Sequence, residues 1–435
     1  MSSHVVVGAS VAAMAAAERL AANGEYVRWL VTGPTGGPFA PMTVDGRRVG
    51  HGLRRIEHDD RVADHLDRLL PDLRPAPTPR LVLGERIVED MTLTGRVSAV
   101  TRLLDDRTLH RIAEELVEIR GTSSPGGVLD APGPIGMSLH QASRQNHGEL
   151  FHRIVVEPIA SALVPGGAAA VEATQRHKVW TPLYRPETLL RAVTGVEPDD
   201  DSGRHFRVDR HGGLSDTVSV LEARLDESPN AERVDVGRLV GLTNVGAQTE
   251  LTFASGHVEH ARRPMLATPP AETFAAAGIP HHADRVEMSF LWLDVEEADV
   301  LEPTPTTFLD DDILFRVCSS TPEPDAAGTP RRTFSVELRR GAPPDARHAV
   351  RAMIRAGMIA ERARPSVLAH HRTPAFEVPS AANRHAFDHA RSDLCDALPA
   401  TRFLGELAAE VATDPFIDQL ISGLRAAEEV SGAHV

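Results

Sequence analysis

The sequence predicts an α/β protein that is long enough for more than one domain. Three observations support this prediction. The N-terminus has the pattern strand, small-residue turn, helix, strand. Residues 288–294 and 332–338 alternate apolar and polar side chains as half-buried strands do. Stretches rich in Pro and Asp at 71–79 and 197–202 suit linkers between domains. With 435 residues, 42 % of them hydrophobic and 25 % charged, the chain can bury a large core.

Composition excludes several classes of protein. The 46 Lys and Arg residues face 61 Asp and Glu, and the net charge of −15 makes nucleic acid an improbable partner. Cys318 and Cys395 are far apart, which favours a reducing cytoplasm over a disulfide framework. No apolar run is long enough for a membrane span, and the first residues lack the basic start of a secretory signal. We therefore expect a cytoplasmic protein. A protein partner or a homo-oligomer is left open.

The N-terminal segment has the pattern of a Rossmann-like dinucleotide-binding unit. Residues 4–7 form a short β-branched run, residues 14–22 an alanine-rich helix and residues 26–31 a second strand. The turn between them places Gly8, Ser10 and Ala13 at the three positions of the G-x-G-x-x-G pattern. In such a unit the helix N-terminus faces a pyrophosphate. These three residues are therefore candidates for cofactor binding.

Two departures from the pattern weaken this prediction. Ser10 replaces the second glycine, so a Cβ lies where backbone normally approaches the phosphates. The second strand ends in Val31-Thr32-Gly33, which offers no carboxylate for a ribose hydroxyl. We expect weakened cofactor affinity if a cofactor binds. A unit that packs well and binds nothing is the alternative.

Downstream motifs resemble those of the FAD-dependent amine oxidase, protoporphyrinogen oxidase and UDP-galactopyranose mutase superfamily. The glycine pair Gly36-Gly37 precedes a hairpin around Asp45-Gly46 and a His-Gly turn, as in those proteins. Further segments follow in the family's order: residues 80–86, 147–158, 211–225, 234–242 and 265–270. The resemblance implies that Val240 meets the adenine and that Thr268 and Pro269 form a turn beside the cofactor. It also implies that the glycine pair approaches the flavin end of FAD.

The C-terminal segment carries the most specific resemblance. Gly405-Glu406 at a strand end, followed by residues 418–427, is similar to the closing FAD motif of the family. The resemblance implies that Glu406 accepts a hydrogen bond from a cofactor hydroxyl and that the helix N-terminus points at the flavin. FAD is expected to be non-covalent. The alternative for residues 422–427 is a plain amphipathic surface helix.

The resemblance also implies the domain organisation. A Rossmann-like FAD-binding domain would consist of residues 1–75, 206–280 and 390–435. An α+β substrate domain would consist of residues 76–205 and 281–389.

The candidate substrate-binding residues are Arg316 and Lys178, and the catalytic residues are not assigned. Lys178 is the single lysine of the chain, and residues 285–292 hold none, which disfavours the lysine-assisted amine oxidation of many relatives. Arg316 could hold a carboxylate or phosphate in a bidentate fashion, or could be a surface arginine paired with an aspartate of 310–312. Glu337 could be a base or an outward-facing strand residue, and the outward orientation is expected. The histidine pairs at 281–282 and 370–371 lack a third ligand, so no metal site is predicted.

Three functions remain open at this point. The first is an FAD-dependent oxidoreductase that transfers hydride between a small molecule and flavin. The second is a non-redox flavin-dependent sugar mutase. The third is a flavoprotein fold with weakened or lost cofactor binding that acts as a binding or scaffold protein, and the departures at Ser10 and Thr32 support it.

Overall fold

The computed structural model of the chain describes residues 3–40, 42–52, 55–122, 136–196, 205–208, 214–408 and 415–431. The predicted linker at 197–202 and the Gly-Gly turn at 212–213 lie outside the described residues. The helices are Val11–Ala22, Ala63–Leu69, Met91–Thr94, Val100–Leu103, Asp106–Thr122, Leu139–Phe151, Glu157–Leu163, Pro186–Val193, Leu214–Glu227, Pro270–Ala276, Ala346–Arg355, Ala381–Ala397 and Pro415–Ser431, with a π-helical turn at His152–Val156.

A parallel sheet forms the centre of the Rossmann-like part of the fold. Within the described ranges, its five strands lie in the order Ala231–Asp235, Tyr26–Val31, Ser3–Val7, Met265–Leu266 and Arg402–Phe403, all parallel. Val6 packs on the side of the helices Val11–Ala22 and Pro415–Ser431, whereas Val5 and Val7 pack on the opposite side of the sheet. That layer contains the antiparallel strands Leu239–Val245, Gln248–Phe253 and Val258–Ala261. The predicted Rossmann-like architecture is confirmed.

A second, larger sheet forms the other part of the fold. In the described part of the chain its main path runs Ser366–Glu377, Arg285–Glu296, Pro330–Leu338, Leu314–Ser319, Thr306–Phe308, Arg80–Leu83 and Arg86–Glu89, with Glu323–Pro324 beside Pro330–Leu338. One face packs on the helix Ala346–Arg355 through Leu293, Phe334 and Val336. A helical layer with its own apolar core adjoins the sheet.

The remaining strands are short. Met42–Val44 and Arg47–Val49 form the predicted hairpin, in which Asp45 and Gly46 both have positive φ, as a tight two-residue turn requires. Ile56–Glu57, Phe206–Val208 and Arg74–Pro75 form a small antiparallel sheet. The helix Ala381–Ala397 spans residue 390, where the third nucleotide-binding segment was predicted to begin.

The first and last described helices pack closely against each other. A Cβ on Gly423 would overlap with the backbone oxygen of Ala12 and would lie 3.0 Å from the Ala15 Cβ. Ala12, Ala15 and Ala16 are fully buried, so small residues on both helices permit this approach. Among the described residues, no helix has the combination of length and apolar character needed to cross a membrane.

Candidate functional site

The turn after the first strand requires glycine at position 8. Gly8 has φ +132°, and a Cβ there would lie 2.6 Å from the backbone oxygen of Ala267. Its N–H donates to the oxygen of Leu30 at 3.0 Å, and the Trp29 indole N–H donates to the Gly8 oxygen at 2.9 Å. The ends of three neighbouring strands therefore meet at this turn, at the carboxyl edge where open parallel sheets bind ligands.

Ser10 begins the first helix and links it to the sheet. Its Oγ accepts a hydrogen bond from the Ala13 N–H at 3.4 Å and donates one to the oxygen of Ala267 at 2.9 Å. The hydroxyl thus acts as an N-cap, a role for which serine is strongly preferred. The sequence predicted steric crowding at Ser10, and the structure adds that its hydroxyl is held by the protein. Ala13 is fully buried, as the third position of the motif requires.

The glycine pair lies against the same turn. Gly36 and Gly37 have φ of +89° and +55°, in the region that favours glycine. The Gly36 N–H donates to the oxygen of Ala9 at 2.7 Å, and a Cβ on Gly37 would lie 3.8 Å from the Cα of Ser10. Two segments that the sequence singled out separately are therefore in contact.

The C-terminal motif lies on the other side of the first helix. The Gly405 N–H donates to the Ser422 Oγ at 2.8 Å, and Gly405 has φ +59°. Glu406 follows; it is exposed to solvent, and protein groups lie close to its carboxyl. Desolvation by these groups raises the pKa of Glu406, the charge of Lys178 opposes this rise, and the charge of Glu377 adds to it.

We call Glu406, Lys178, Arg285, Glu377 and His281 the Glu406 group. Arg285 also lowers the pKa of Glu406, and His281 Nε2 lies 3.2 Å from Glu377 Oε1. The structure thus places the predicted Lys178 near the predicted Glu406. Sequence reasoning missed Arg285 and Glu377, which strand pairing places side by side, and His281, which contacts Glu377. The His281 side chain is only 3 % exposed.

Three other predicted cofactor residues lie along the same sheet edge or near it. Val240 is at a bulge in the strand Leu239–Val245 and is 43 % exposed. Thr268 is buried, with its Oγ1 2.6 Å from that of Thr273. Pro269 caps the helix Pro270–Ala276.

Arg316 is neither a surface residue nor an open substrate clamp. It is 3 % exposed, its Nη1 lies 3.7 Å from Glu337 Oε2, and its Nε donates to Thr307 Oγ1 at 3.3 Å. Glu337 is 2 % exposed, so the prediction that it points outward was wrong. Strand pairing places Thr307, Arg316 and Glu337 side by side on one face of the sheet. Burial raises the pKa of Glu337, and Arg316 opposes that rise.

The His-Gly turn after the hairpin covers this polar face. The His51 ring lies 4.8 Å from that of Phe290 and 5.5 Å from that of Trp292, and the Trp292 indole donates to the oxygen of Gly50 at 3.0 Å. A Cβ on Gly52 would overlap with the Glu337 carboxylate. The turn therefore closes the space over the Arg316–Glu337 pair.

The residues along the first helix fit part of an FAD molecule. The helix N-terminus at Ser10 suits a diphosphate, and Gly37 leaves space beside it, since a Cβ there would lie 3.8 Å from the Ser10 Cα. The Glu406 carboxylate can accept a hydrogen bond from a cofactor hydroxyl. The adenosine ribose lacks its usual carboxylate partner, because the strand Tyr26–Val31 is followed by Thr32 and Gly33.

Comparison with known proteins identifies the fold. No family model matches the chain, and no curated protein matches it. A reduced UDP-galactopyranose mutase superposes with a TM-score of 0.72 at 14 % identity, covering 100 % of this chain and 94 % of the mutase. A proposed protoporphyrinogen oxidase from Exiguobacterium sp. gives 0.65 at 14 %, covering 99 % of both chains. Putrescine oxidase bound to putrescine gives 0.60 at 14 %, covering 99 % of this chain and 98 % of the oxidase.

These similarities extend over nearly the whole length of each chain, at identities that establish the fold alone. They agree with the order of motifs in the sequence. The chain has the fold of the FAD-dependent amine oxidase-like flavoproteins.

Proposed function

We propose that the chain binds FAD non-covalently and is an oxidoreductase that transfers hydride between a small-molecule substrate and the flavin. The observation that carries this proposal is the Glu406 group. In it, the Gly405-Glu406 end of the parallel sheet lies near the charged side chains of Lys178, Arg285 and Glu377. Convergent polar groups of this kind are usual at cofactor and substrate sites.

Named residues would hold the cofactor. Gly8, Ser10 and Gly37 would lie around the diphosphate, at the N-terminus of the helix Val11–Ala22, where backbone N–H groups and the helix dipole favour anions. Glu406 would accept a hydrogen bond from a hydroxyl of the ribityl chain. The remaining contacts proposed are those of Ala13, Gly36, Val240, Thr268, Pro269 and Gly405.

The Glu406 group can orient a substrate, and the Glu406 carboxyl can bind or release a proton. Bound FAD would supply a two-electron acceptor for hydride. Lys178 and Arg285 would attract an anionic group of the substrate. The raised pKa of Glu406 allows its carboxyl to retain a proton closer to neutral pH than an ordinary glutamate does. Arg316 is proposed to support the sheet behind the site through Glu337, because that pair is buried.

A second candidate function is a binding protein with this fold and weakened cofactor affinity. Two features favour it. The Ser10 hydroxyl donates its hydrogen bond to Ala267, and no carboxylate follows the strand Tyr26–Val31.

Absorbance of the purified protein, followed by titration with FAD, separates the two functions. The oxidoreductase proposal predicts flavin absorbance, released into the supernatant on acid precipitation, with Glu406→Gln at reduced occupancy and the exposed Glu361→Gln at parental occupancy. Loss of a charged hydrogen bond to a buried hydroxyl typically costs about 1–3 kcal/mol. Colourless protein that also fails to take up FAD would reject the oxidoreductase and leave the binding protein.

A further inference from the structure

The helical part of the substrate domain holds a cluster of side chains that the flavoprotein site does not use. His140, His152 and Glu157 place one potential ligand atom each within 4.8 Å of one another. The two imidazole rings are 4.7 Å apart, and His152 Nε2 lies 3.7 Å from Glu157 Oε2. Two imidazoles and a carboxylate are a ligand set typical of zinc sites with an open coordination position.

A break in the helix creates this cluster. In a continuous helix, residues 140 and 152 would be about 18 Å apart along the axis, since each residue adds 1.5 Å. Gly148 interrupts the helix Leu139–Phe151 with φ +79° and ψ +173°, and the chain turns back. A Cβ on Gly148 would overlap with the Glu115 carboxylate, which accepts a hydrogen bond from the Leu150 N–H at 3.0 Å.

The chain beyond the break positions the other two ligands. His152 begins a π-helical turn, His152–Val156, a feature frequent at functional sites. The Glu157 carboxylate is held by the Ser161 hydroxyl and by the Ala168 N–H at 3.3 Å. Such support from outside the ligand set orients the ligands of metal sites.

The His152 ring is 2 % exposed. Its Nε2 lies 3.7 Å from Glu157 Oε2, too far for a hydrogen bond, and a cation between the two atoms can bind both. Its other ring nitrogen, Nδ1, is buried without a hydrogen-bond partner among the described residues. His140 is partly exposed, and its Nε2 has a weak contact of 3.4 Å with the Arg144 guanidinium. Rotation of the His140 side chain would release that contact.

A recess next to His140 gives solvent and ions access to the cluster. Its volume is about 560 Å³, and it is lined by Glu115, Glu118 and Glu149 as well as by His140. Arg144 is also in the lining. Three carboxylates against one guanidinium give the entrance an excess of negative charge, which attracts cations.

We propose that His140, His152 and Glu157 bind one divalent transition-metal ion of the zinc type, with solvent from the recess as a further ligand. The ion links the chain that follows the break at Gly148 to the first turn of the helix Leu139–Phe151. This site is separate from the FAD proposal and does not depend on it.

Metal binding to the full-length protein tests the proposal. The protein, stripped with a chelator and dialysed, is titrated with Zn²⁺ against a chromophoric competitor, and Co²⁺ provides a visible spectrum of the ligand field. We expect one ion per chain, a rise in melting temperature with Zn²⁺, and affinity lowered about tenfold or more in His140→Ala and Glu157→Gln.

His110→Ala is the matched control. His110 is exposed on the helix Asp106–Thr122 and lies 3.3 Å from Glu114, but it belongs to no three-ligand cluster in the described residues. It should bind Zn²⁺ as the parent does. Because His140 is partly exposed, its variant should fold, and circular dichroism verifies this. Zn²⁺ affinity that is equal in the parent, His140→Ala and Glu157→Gln, or no stoichiometric binding by the folded parent, would overturn the proposal.

Discussion

The Arg316–Glu337 pair is buried in the larger sheet, and its charges are incompletely satisfied. Arg316 Nη2 and Glu337 Oε2 are buried and have no hydrogen-bond partner among the described residues. Removing two charges from water costs several kcal/mol for each ion, and the mutual attraction of the pair offsets this only in part. The pair therefore affects the free energy of unfolding chiefly through the cost of leaving one buried charge without the other.

Replacement of one partner should destabilise the fold much more than replacement of both. Arg316→Met or Glu337→Leu alone leaves a buried charge without its partner, at an expected cost of about 3–5 kcal/mol. The double variant removes both charges and should differ from the parent by far less than the sum of the two single changes. Urea unfolding of the four proteins measures the free energies. Additive losses would contradict this account and would show that each side chain contributes independently.

His147 is a buried histidine held in its neutral form. Its Nε2 accepts a hydrogen bond from the Tyr184 N–H at 2.7 Å, and its Nδ1 lies 3.1 Å from the Ser143 Oγ. Burial lowers its pKa to about 3. The unfolded chain, with an ordinary histidine pKa of about 6.5, therefore binds a proton at pH values where the folded chain does not.

Stability should therefore fall as the pH drops through about 6.5 toward 3. The linkage amounts to about 2 kcal/mol at pH 5. His147→Gln should be less stable than the parent at neutral pH but should lose less stability between pH 7 and pH 5. Urea unfolding at both pH values measures this difference. His110→Gln, at an exposed site, should keep the parental slope. An unchanged slope in His147→Gln would show that the ring is protonated in the fold.

At the scale of elements, the contact between the first and last helices depends on one glycine. Gly423→Ala would gain helix propensity of about 1 kcal/mol, but the new methyl group would meet the backbone of Ala12. Overpacking of this kind costs about 1–3 kcal/mol, so we expect net destabilisation. Gly33→Ala is the control, because a Cβ there meets nothing within 4 Å. Thermal unfolding compares them, and equal melting temperatures would mean that the helices separate without cost.

The elements that were predictable from the sequence carry strong local patterns. The strand Tyr26–Val31 and the hairpin at Asp45-Gly46 follow from β-branched runs and turn residues. The outward prediction for Glu337 failed because alternation along a strand does not reveal which face is covered, and here the turn at His51-Gly52 covers the polar face. No periodic pattern in the sequence indicates that His140 approaches His152, because a single residue, Gly148, produces the break in the helix.

At the scale of the whole molecule, FAD bound as proposed would connect the parallel sheet with the larger sheet through the Glu406 group. Saturating FAD should therefore raise the melting temperature of the entire chain in one transition. At a concentration 100 times the dissociation constant, binding stabilises by about 2.7 kcal/mol. Differential scanning calorimetry measures the shift, and Glu406→Gln should reduce it whereas Glu361→Gln should not. Two separate transitions, with only one shifted by FAD, would contradict a site shared by the two sheets.

The pairing of the helix Val11–Ala22 with the helix Pro415–Ser431 has a consequence for synthesis on the ribosome. The first helix emerges about 400 residues before the helix that covers its buried alanines. At 5–20 residues per second, that interval lasts roughly 20–80 s. The strand Arg402–Phe403, which completes the parallel sheet, arrives equally late. The alanines of the first helix therefore lack their contact with the last helix throughout this interval. The larger sheet and its helical layer are synthesised earlier and can fold before this contact forms.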